Sequence, residues 1–173
     1  MVMHEITNPE ALTIILKLVL SGVLGGIIGF ERDMHGRAAG LRTNLLVSMG
    51  SALFMIISEI VASRAMGSSI GRFADPGRIA AQIIAGIGFI GAGAIIKEGF
   101  SVRGLTTAAC LWLVAGIGMA VGAGLYMLGI YSTLIGIVAL VGLKNLDKLS
   151  HSILQAFLEA KVPVKRIKWD HNC

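Results

Sequence analysis

One short segment, Gly29 to Asn44, contains a cluster of charged side chains; it reads GFERDMHGRAAGLRTN and lies between two long apolar runs. Its titratable residues are Glu31, Arg32, Asp33, His35, Arg37 and Arg42. Carboxylates and guanidinium groups at this spacing can form ion pairs or bind an anion. The same residues are also typical of the solvated turn between two membrane helices.

No arrangement of residues indicates catalysis or metal binding. The four histidines have no metal-ligand spacing, no Ser/His/Asp or Cys/His set is recognisable, and the two cysteines form no CxxC motif. The string GIGFIG, Gly86 to Gly91, matches the GxGxxG pattern of dinucleotide-binding folds, but it lies inside an apolar run instead of a strand-to-helix turn. We therefore expect a protein that is not an enzyme and that needs no metal and no cofactor.

The composition is that of a membrane protein. Of the 173 residues, 55% are hydrophobic and only 14% are charged, with a mean hydropathy of +0.80. The net charge is +5, but the basic residues lie in loops and in the tail, and aromatic residues make up only 6% of the chain. The expected partner is therefore the lipid bilayer and not nucleic acid.

Five apolar stretches have about the 20 residues that a helix needs to cross a bilayer. They are Leu12 to Phe30, Thr43 to Val61, Ile79 to Ile96, Leu105 to Val121 and Leu125 to Leu143, with the last two separated by a tight turn at Gly122 to Gly124. The sequence therefore predicts an all-α membrane protein with five transmembrane helices.

The distribution of Lys and Arg predicts the orientation, because these residues favour the cytoplasmic side in short loops. With the N-terminus outside and the C-terminus inside, eleven of them face the cytoplasm and four face outward. Residues 1–143 then form the transmembrane domain, and residues 144–173 form a short basic cytoplasmic tail. Leu146, Leu149, Ile153 and Phe157 recur in this tail at helical spacing, which predicts a short amphipathic helix on the membrane surface.

A faint internal repeat relates the two halves of the domain. At a constant offset of 64 residues, Gly22, Gly29, Gly40, Leu41 and Thr43 match Gly86, Gly93, Gly104, Leu105 and Thr107. If the repeat is structural, two consecutive pairs of helices run in the same sense, as in some membrane transporters; coincidence in a chain with 23 glycines is the alternative.

Small residues at four-residue spacing predict close helix packing. They are Gly22, Gly25, Gly26 and Gly29 in the first span, Ala81, Ala85, Gly88 and Ala92 in the third, and Gly118 and Gly122 in the fourth. Glycines that line a substrate path are the alternative interpretation. We also expect the protein to form a homo-oligomer, with a dimer favoured.

Several polar residues are candidates for function. Asp75 and Pro76 have the chemistry of a helix start, and Asp75 and Arg78 can also form an ion pair or a ligand contact at the outer face. Gln82 is a polar group one turn deeper, and Glu59 either functions inside the membrane or reaches the interface.

The starts of spans two and four are a further candidate site. Arg42 and Thr43 stand at the first, Thr106 and Thr107 at the second, and the partial positive charge of both helix N-termini can accept an anion or a carboxylate such as Glu31. We expect Glu31 to pair with Arg42. Arg32 and Arg37 are interpreted as solvated charges that set the topology.

Two blocks, GFERDMHGRAAGLRTNLLVSMGSALF and DPGRIAAQIIAGIGFIGAGAIIKEGFSVRGLTTAACLWLVAGIGMAVGAGLY, closely resemble the MgtC/SapB family of bacterial membrane proteins. The resemblance implies a multi-pass inner-membrane protein associated with adaptation to low Mg²⁺, acid stress or survival in host cells. It also singles out ten positions, which are Glu31, Arg42, Thr43, Asp75, Arg78, Gln82, Gly104, Leu105, Thr107 and Trp112.

The resemblance has two departures. Some virulence-type members carry Asn where Thr106 stands and Cys where Leu113 stands, and many have a larger soluble C-terminal domain than residues 144–173 provide. Virulence-associated members resemble regulators that restrain the F-type ATP synthase. The leading hypothesis is accordingly a non-enzymatic regulator of other membrane proteins, and the alternative is a transporter or channel for Mg²⁺ or another small ion.

Overall fold

The computed structural model describes residues 8–66, 75 and 77–142, which form five helices and one short hairpin. The helices are α1 (Asn8–Met34), α2 (Leu41–Met66), α3 (Gly77–Gly93), α4 (Leu105–Gly122) and α5 (Tyr126–Gly142). The strands are β1 (Ile96–Glu98) and β2 (Ser101–Arg103). The predicted all-α membrane fold is therefore confirmed, and the predicted tail helix lies outside the described residues.

Three helices, α1, α2 and α4, are long and apolar enough to cross a membrane, whereas α3 and α5 are shorter apolar helices. The predicted third span is too long, because α3 ends at Gly93 and the chain continues into a hairpin that pairs Ile96 with Arg103 and Glu98 with Ser101. Gly99 has a φ of +60° at the hairpin turn, which glycine adopts without strain.

The turn at Gly122 to Gly124 is present. The Gly124 N–H donates to the Val121 carbonyl at 3.0 Å, and the Leu125 N–H donates to the Ala120 carbonyl at 2.8 Å. Gly124 has a φ of +78°, and the two bonds satisfy carbonyls at the end of α4. Helix α4 therefore ends here, and α5 begins two residues later.

Helix α4 is the centre of the compact unit that ends at Ile137, and the other helices of this unit pack around it. Val114, Val121 and Leu111 are fully or almost fully buried on α4, and Ile28 and Ala52 are equally buried on α1 and α2. The outward side chains are large and apolar, among them Leu16, Phe54, Phe89 and Ile135. A protein whose outward side chains are large and apolar is matched to lipid rather than to water.

The contacts between helices define their relative directions. Gly118 and Gly122 of α4 lie against Ser48 and Ala52 of α2 in the same order along both chains, so these two helices are parallel. Gly25 and Gly29 of α1 lie against Ser48 and Leu41 in the reverse order, so α1 and α2 are antiparallel. The pairs α1–α2 and α3–α4 therefore run in the same sense, and α2 and α4 begin 64 residues apart, as the internal repeat predicts.

Candidate functional site

The site is built where the end of α1 meets the starts of α2 and α4. Asp33 closes the first of these junctions, because its Oδ2 accepts the Leu41 N–H at 2.8 Å and so caps α2 from eight residues upstream. Gly40 leaves room for this carboxylate, since a Cβ on Gly40 would stand only 1.6 Å from Asp33 Oδ1. The Asn44 amide donates to the carbonyls of Ala39 and Gly40, so the start of α2 is held by its own chain.

Arg32 is the central residue of the site, and the sequence interpretation of this residue is wrong. It is not a solvated loop charge, because only 4% of its surface is exposed and its Nη2 donates to Thr107 Oγ1 at 2.7 Å. A longer contact of 3.4 Å joins Nη2 to the Ala38 carbonyl, and the buried Nε has no partner in the part of the chain that the structure describes. Arg37, which was grouped with Arg32, is exposed.

The sequence does contain a signal for the burial of Arg32. Leu24 and Ile28 are buried on α1, and Arg32 follows them at the same four-residue spacing, so it continues the face that packs inside the protein. In a membrane protein an inward arginine at a helix end is a candidate for function.

The expected pair of Glu31 and Arg42 is not formed. Glu31 Oε1 lies 2.9 Å from His35 Nδ1, one turn further along α1, and Arg42 is exposed at the start of α2. The two side chains differ in direction because α1 continues past the predicted end of its span, to Met34, and carries Glu31 and His35 on one helical face.

The start of α4 differs from the start of α2 because no side chain caps it. Gly104 is the N-cap residue with a φ of +90°, and the first backbone bond of the helix runs from the Ala108 N–H to the Gly104 carbonyl at 2.9 Å. Thr107 is buried against Arg32, whereas Leu105 and Thr106 are exposed. Glycine is required at position 104, since a Cβ would meet the Ala94 carbonyl oxygen at 2.0 Å.

Cys110 and Asn44 complete the polar contacts between α2 and α4. Cys110 is a buried free thiol whose Sγ lies 3.9 Å from Asn44 Oδ1. At the opposite end of α4, Lys17 Nζ donates to the Gly122 carbonyl at 2.7 Å, which places a cation at a helix C-terminus where the helix dipole favours it.

The remaining candidates lie elsewhere. Asp75 Oδ1 accepts the Gly77 N–H at 2.8 Å and so caps the start of α3. The length of α3, about 25 Å, separates this start from the hairpin. Arg78, beside Asp75, is exposed. Glu59 is half-buried in the last third of α2. The structure therefore does not bring these three residues to Arg32 and Thr107.

Gln82 and Trp112 line two open apolar grooves. Gln82 lies with Ser51 in a groove of about 640 Å³ between α2 and α3. Trp112, 58% exposed, borders a groove of about 430 Å³ whose other walls come from α3 and α5. Thr43, the last of the predicted candidates, is exposed at the start of α2.

The small residues of α1 and α4 lie at close helix contacts. A Cβ on Gly25 would stand 2.5 Å from Ser48 Cβ, one on Gly118 would stand 2.0 Å from the Ser48 carbonyl oxygen, and Gly29 and Gly122 are almost as tight. Gly22 and Gly26 have ordinary contacts with leucines of α2. Two packing glycines were not predicted, namely Gly129 and Gly136, which bring α5 against α4 and α1.

The predicted packing residues of α3 differ from the others. Ala85, Gly88 and Ala92 are exposed, and a Cβ on Gly88 would meet nothing within 4 Å. The buried face of α3 is instead Ala80, Ile87 and Gly91. The four-residue pattern identified a face of small residues correctly, but within this chain that face packs against nothing that the structure describes.

A metal site is not formed in residues 8–66, 75 and 77–142, since no three His, Cys, Asp or Glu side chains come together there. At the start of α4 the junction provides hydrogen-bond donors and the positive charge of Arg32, whereas the carboxylates of Glu31 and Asp33 bond to His35 and to the Leu41 N–H.

Comparison with known proteins shows the family. The model of the MgtC family matches residues 18–149, which is most of the chain and includes every element that forms the junction. The chain belongs to the MgtC family. It is 55% identical over 103 residues to Protein MgtC of Brucella abortus, a match that covers 60% of this chain and 40% of that protein.

Other members of the MgtC family are similarly close. The chain is 45% identical over 131 residues to Protein MgtC of Salmonella typhimurium, covering 76% of this chain and 52% of that protein. It is 47% identical over 127 residues to YhiD of Escherichia coli K12, whose name assigns it provisionally to magnesium transport. This match covers 73% of this chain and 58% of that protein. The chain thus spans about half the length of these relatives. No solved structure matches the chain.

Proposed function

We propose that this protein acts without catalysis, by helix contact with other proteins of the bacterial inner membrane, in adaptation to low Mg²⁺, acid or conditions inside host cells. Membership of the MgtC family and the name of the YhiD relative support the connection to magnesium. The F-type ATP synthase is the partner that we propose first.

The observation that carries this proposal is the exposed small-residue face of α3. Ala81, Ala85, Gly88 and Ala92 follow one another along one side of the helix and are all exposed. In lipid, small residues at this spacing let a second helix approach closely, and the gain comes from van der Waals packing. The equivalent residues of α1 and α4 are already packed inside the chain, whereas this face is available to a partner or to a second copy.

The test is a pair of matched leucine variants. Gly88→Leu fills the exposed face of α3, and Gly116→Leu makes the same change on α4 at a glycine that is also exposed and also has nothing within 4 Å of a Cβ. We expect Gly88→Leu to abolish co-purification of the partner from native membranes and growth at low Mg²⁺, and Gly116→Leu to preserve both. Equal co-purification and growth in the two variants would contradict the proposal. So would recovery of this protein without any partner, if deletion of its gene also leaves ATP hydrolysis by the membranes unchanged.

A transporter or channel for Mg²⁺ or another small ion is the second candidate, and the groove between α2 and α3 favours it. Gln82 and Ser51 provide polar atoms in a groove that is otherwise apolar, and the half-buried Glu59 lies on the same helix as Ser51. Liposomes that contain only this protein should then show Mg²⁺ flux that Gln82→Leu and Glu59→Ala reduce. Flux equal to that of empty liposomes would leave this second candidate without support.

A further inference from the structure

Arg32 is a buried cation without an anionic partner. It donates to the neutral oxygens of Thr107 and Ala38, its Nε is buried without a partner, and none of the residues that the structure describes places a carboxylate within ion-pair distance of it. The adjacent carboxylates are engaged elsewhere, Glu31 with His35 and Asp33 with the Leu41 N–H. A buried charge without compensation is strongly unfavourable.

The surroundings of Arg32 increase this excess of positive charge. Its guanidinium bonds to the first turn of α4, where the helix dipole is itself positive and no side chain caps the free N–H groups. At the other end of the same helix the charge is matched, because Lys17 bonds to the Gly122 carbonyl. The start of α4 is thus a point at which two positive groups, the Arg32 guanidinium and the helix N-terminus, lie together.

The equivalent position in α2 shows how the chain normally satisfies such a helix start. There, Asp33 supplies a carboxylate to the Leu41 N–H. At α4 the corresponding N–H is that of Leu105, 64 residues later, and no side chain in residues 8–66, 75 and 77–142 caps this helix start. Among the described residues, the two halves of the repeat therefore differ in that a carboxylate caps α2 and no side chain caps α4.

From these observations we infer that the start of α4, with Arg32 beneath it, binds a phosphate group. The first-turn N–H groups and the hydroxyls of Thr106 and Thr107 are the donors, and Arg32 supplies the positive charge. Several donors around one point suit a tetrahedral anion with several oxygens, the arrangement by which helix N-termini bind phosphate. Access is from the side of Leu105 and Thr106, whose side chains are exposed, and the exposed Arg103 precedes them.

The phosphate can belong to a soluble compound or to a lipid headgroup, and the test separates the two. The full chain, purified in a non-ionic detergent, is unfolded thermally in sodium phosphate and in sodium chloride at equal ionic strength. In parallel, it is unfolded in mixed micelles with phosphatidylglycerol and with diacylglycerol, which lacks the phosphate. A saturable rise of the midpoint with inorganic phosphate indicates a soluble ligand, and a rise with phosphatidylglycerol but not with diacylglycerol indicates the lipid. No rise in either series overturns the inference.

A variant of the exposed Thr106 tests the location without disturbing buried Arg32. Thr106→Asp provides a built-in carboxylate at the free helix start, as Asp33 does for α2, so it should raise the midpoint without ligand and weaken phosphate binding at least about tenfold. Thr106→Asn removes the same hydroxyl without adding a charge, so it should weaken phosphate binding less than Thr106→Asp does. Thr43→Asp is the control, with the same charge at the already capped α2, and it should bind like the unmodified protein. Loss of binding in Thr43→Asp equal to that in Thr106→Asp, or unchanged binding in Thr106→Asp, overturns the inference.

Discussion

At the scale of single residues, a few hydrogen bonds hold the junction of three helices together. Arg32 connects α1 to α4 through Thr107, and Asp33 connects α1 to α2 through the Leu41 N–H. Consecutive residues of α1 thus reach two different helices, because neighbouring positions on a helix point about 100° apart. Changes at either residue should affect the stability of the whole domain.

Removal of the acceptor of Arg32 should destabilise the protein. Thr107→Val keeps the shape of the side chain and deletes the hydroxyl, so we expect a loss of about 1–3 kcal/mol, because a further buried donor is left without a partner. Thermal or denaturant unfolding in detergent measures this loss. Thr106→Val makes the same change one residue earlier, at an exposed position, and should cost less than about 0.5 kcal/mol. Equal losses in the two variants would contradict the role of the Arg32–Thr107 bond.

The cap of α2 can be tested at Asp33. Asp33→Ala removes the acceptor of the Leu41 N–H and should lower the stability by about 1 kcal/mol. Asp33→Asn retains a side-chain oxygen that can accept this bond and should lose less. If hydrogen exchange at the Leu41 amide is equally protected in the unmodified protein and in Asp33→Ala, the cap does not form in solution.

At the scale of elements, glycine positions decide which helices pack. Gly118 and Gly116 lie two residues apart on α4, on opposite sides of the helix, and only Gly118 faces the backbone of α2. The parallel packing of α2 and α4 depends on this close contact, since it lets the two backbones meet without an intervening side chain.

Alanine at these two glycines should have opposite effects. Gly118→Ala places a methyl group 2.0 Å from the Ser48 carbonyl oxygen, so α2 and α4 must separate, at an expected cost of about 1–3 kcal/mol. Gly116→Ala meets nothing within 4 Å and should be neutral or stabilise the helix by up to about 1 kcal/mol. The free energy of unfolding of both variants provides the measurement, and similar values for the two would show that α2 and α4 do not pack in this register.

The third predicted span shows a limit of sequence patterns at this scale. Ile95 and Ile96 prolong the apolar run beyond Gly93, and hydropathy alone therefore extends the helix. The antiparallel pairing of Ile96 with Arg103 depends on the turn at Gly99 and on the close contact of Gly104 with Ala94, and a hydropathy profile records neither.

At the scale of the whole molecule, the helix directions place the segment between α1 and α2 and the hairpin before α4 at the same end. Successive helices of the compact unit alternate in direction, as five crossings require. The membrane side of this end is predicted only by the distribution of Lys and Arg, which favours the cytoplasm.

Reporter fusions should reveal alternating sides. A fluorescent protein that folds only in the cytoplasm should be bright when it follows Ala38, Gly99 or the C-terminus, and alkaline phosphatase, which is active only outside, should be active after Asp75 and Gly124. The opposite pattern would invert the topology, and activity of the phosphatase at Gly99 would mean that α3 does not cross the membrane.

Composition and periodicity by themselves determined the class of protein, the five helices, the turn before α5 and the glycine faces of α1 and α4, because each of these depends on neighbours within one or two helical turns. The tertiary structure decided which charged side chains are buried and what they contact. Arg32 and Arg37 look alike in sequence, yet one is buried against α4 and the other is exposed. The four-residue spacing from Leu24 and Ile28 indicates an inward position for Arg32, but its partner is Thr107, 75 positions away, and no local pattern records that contact.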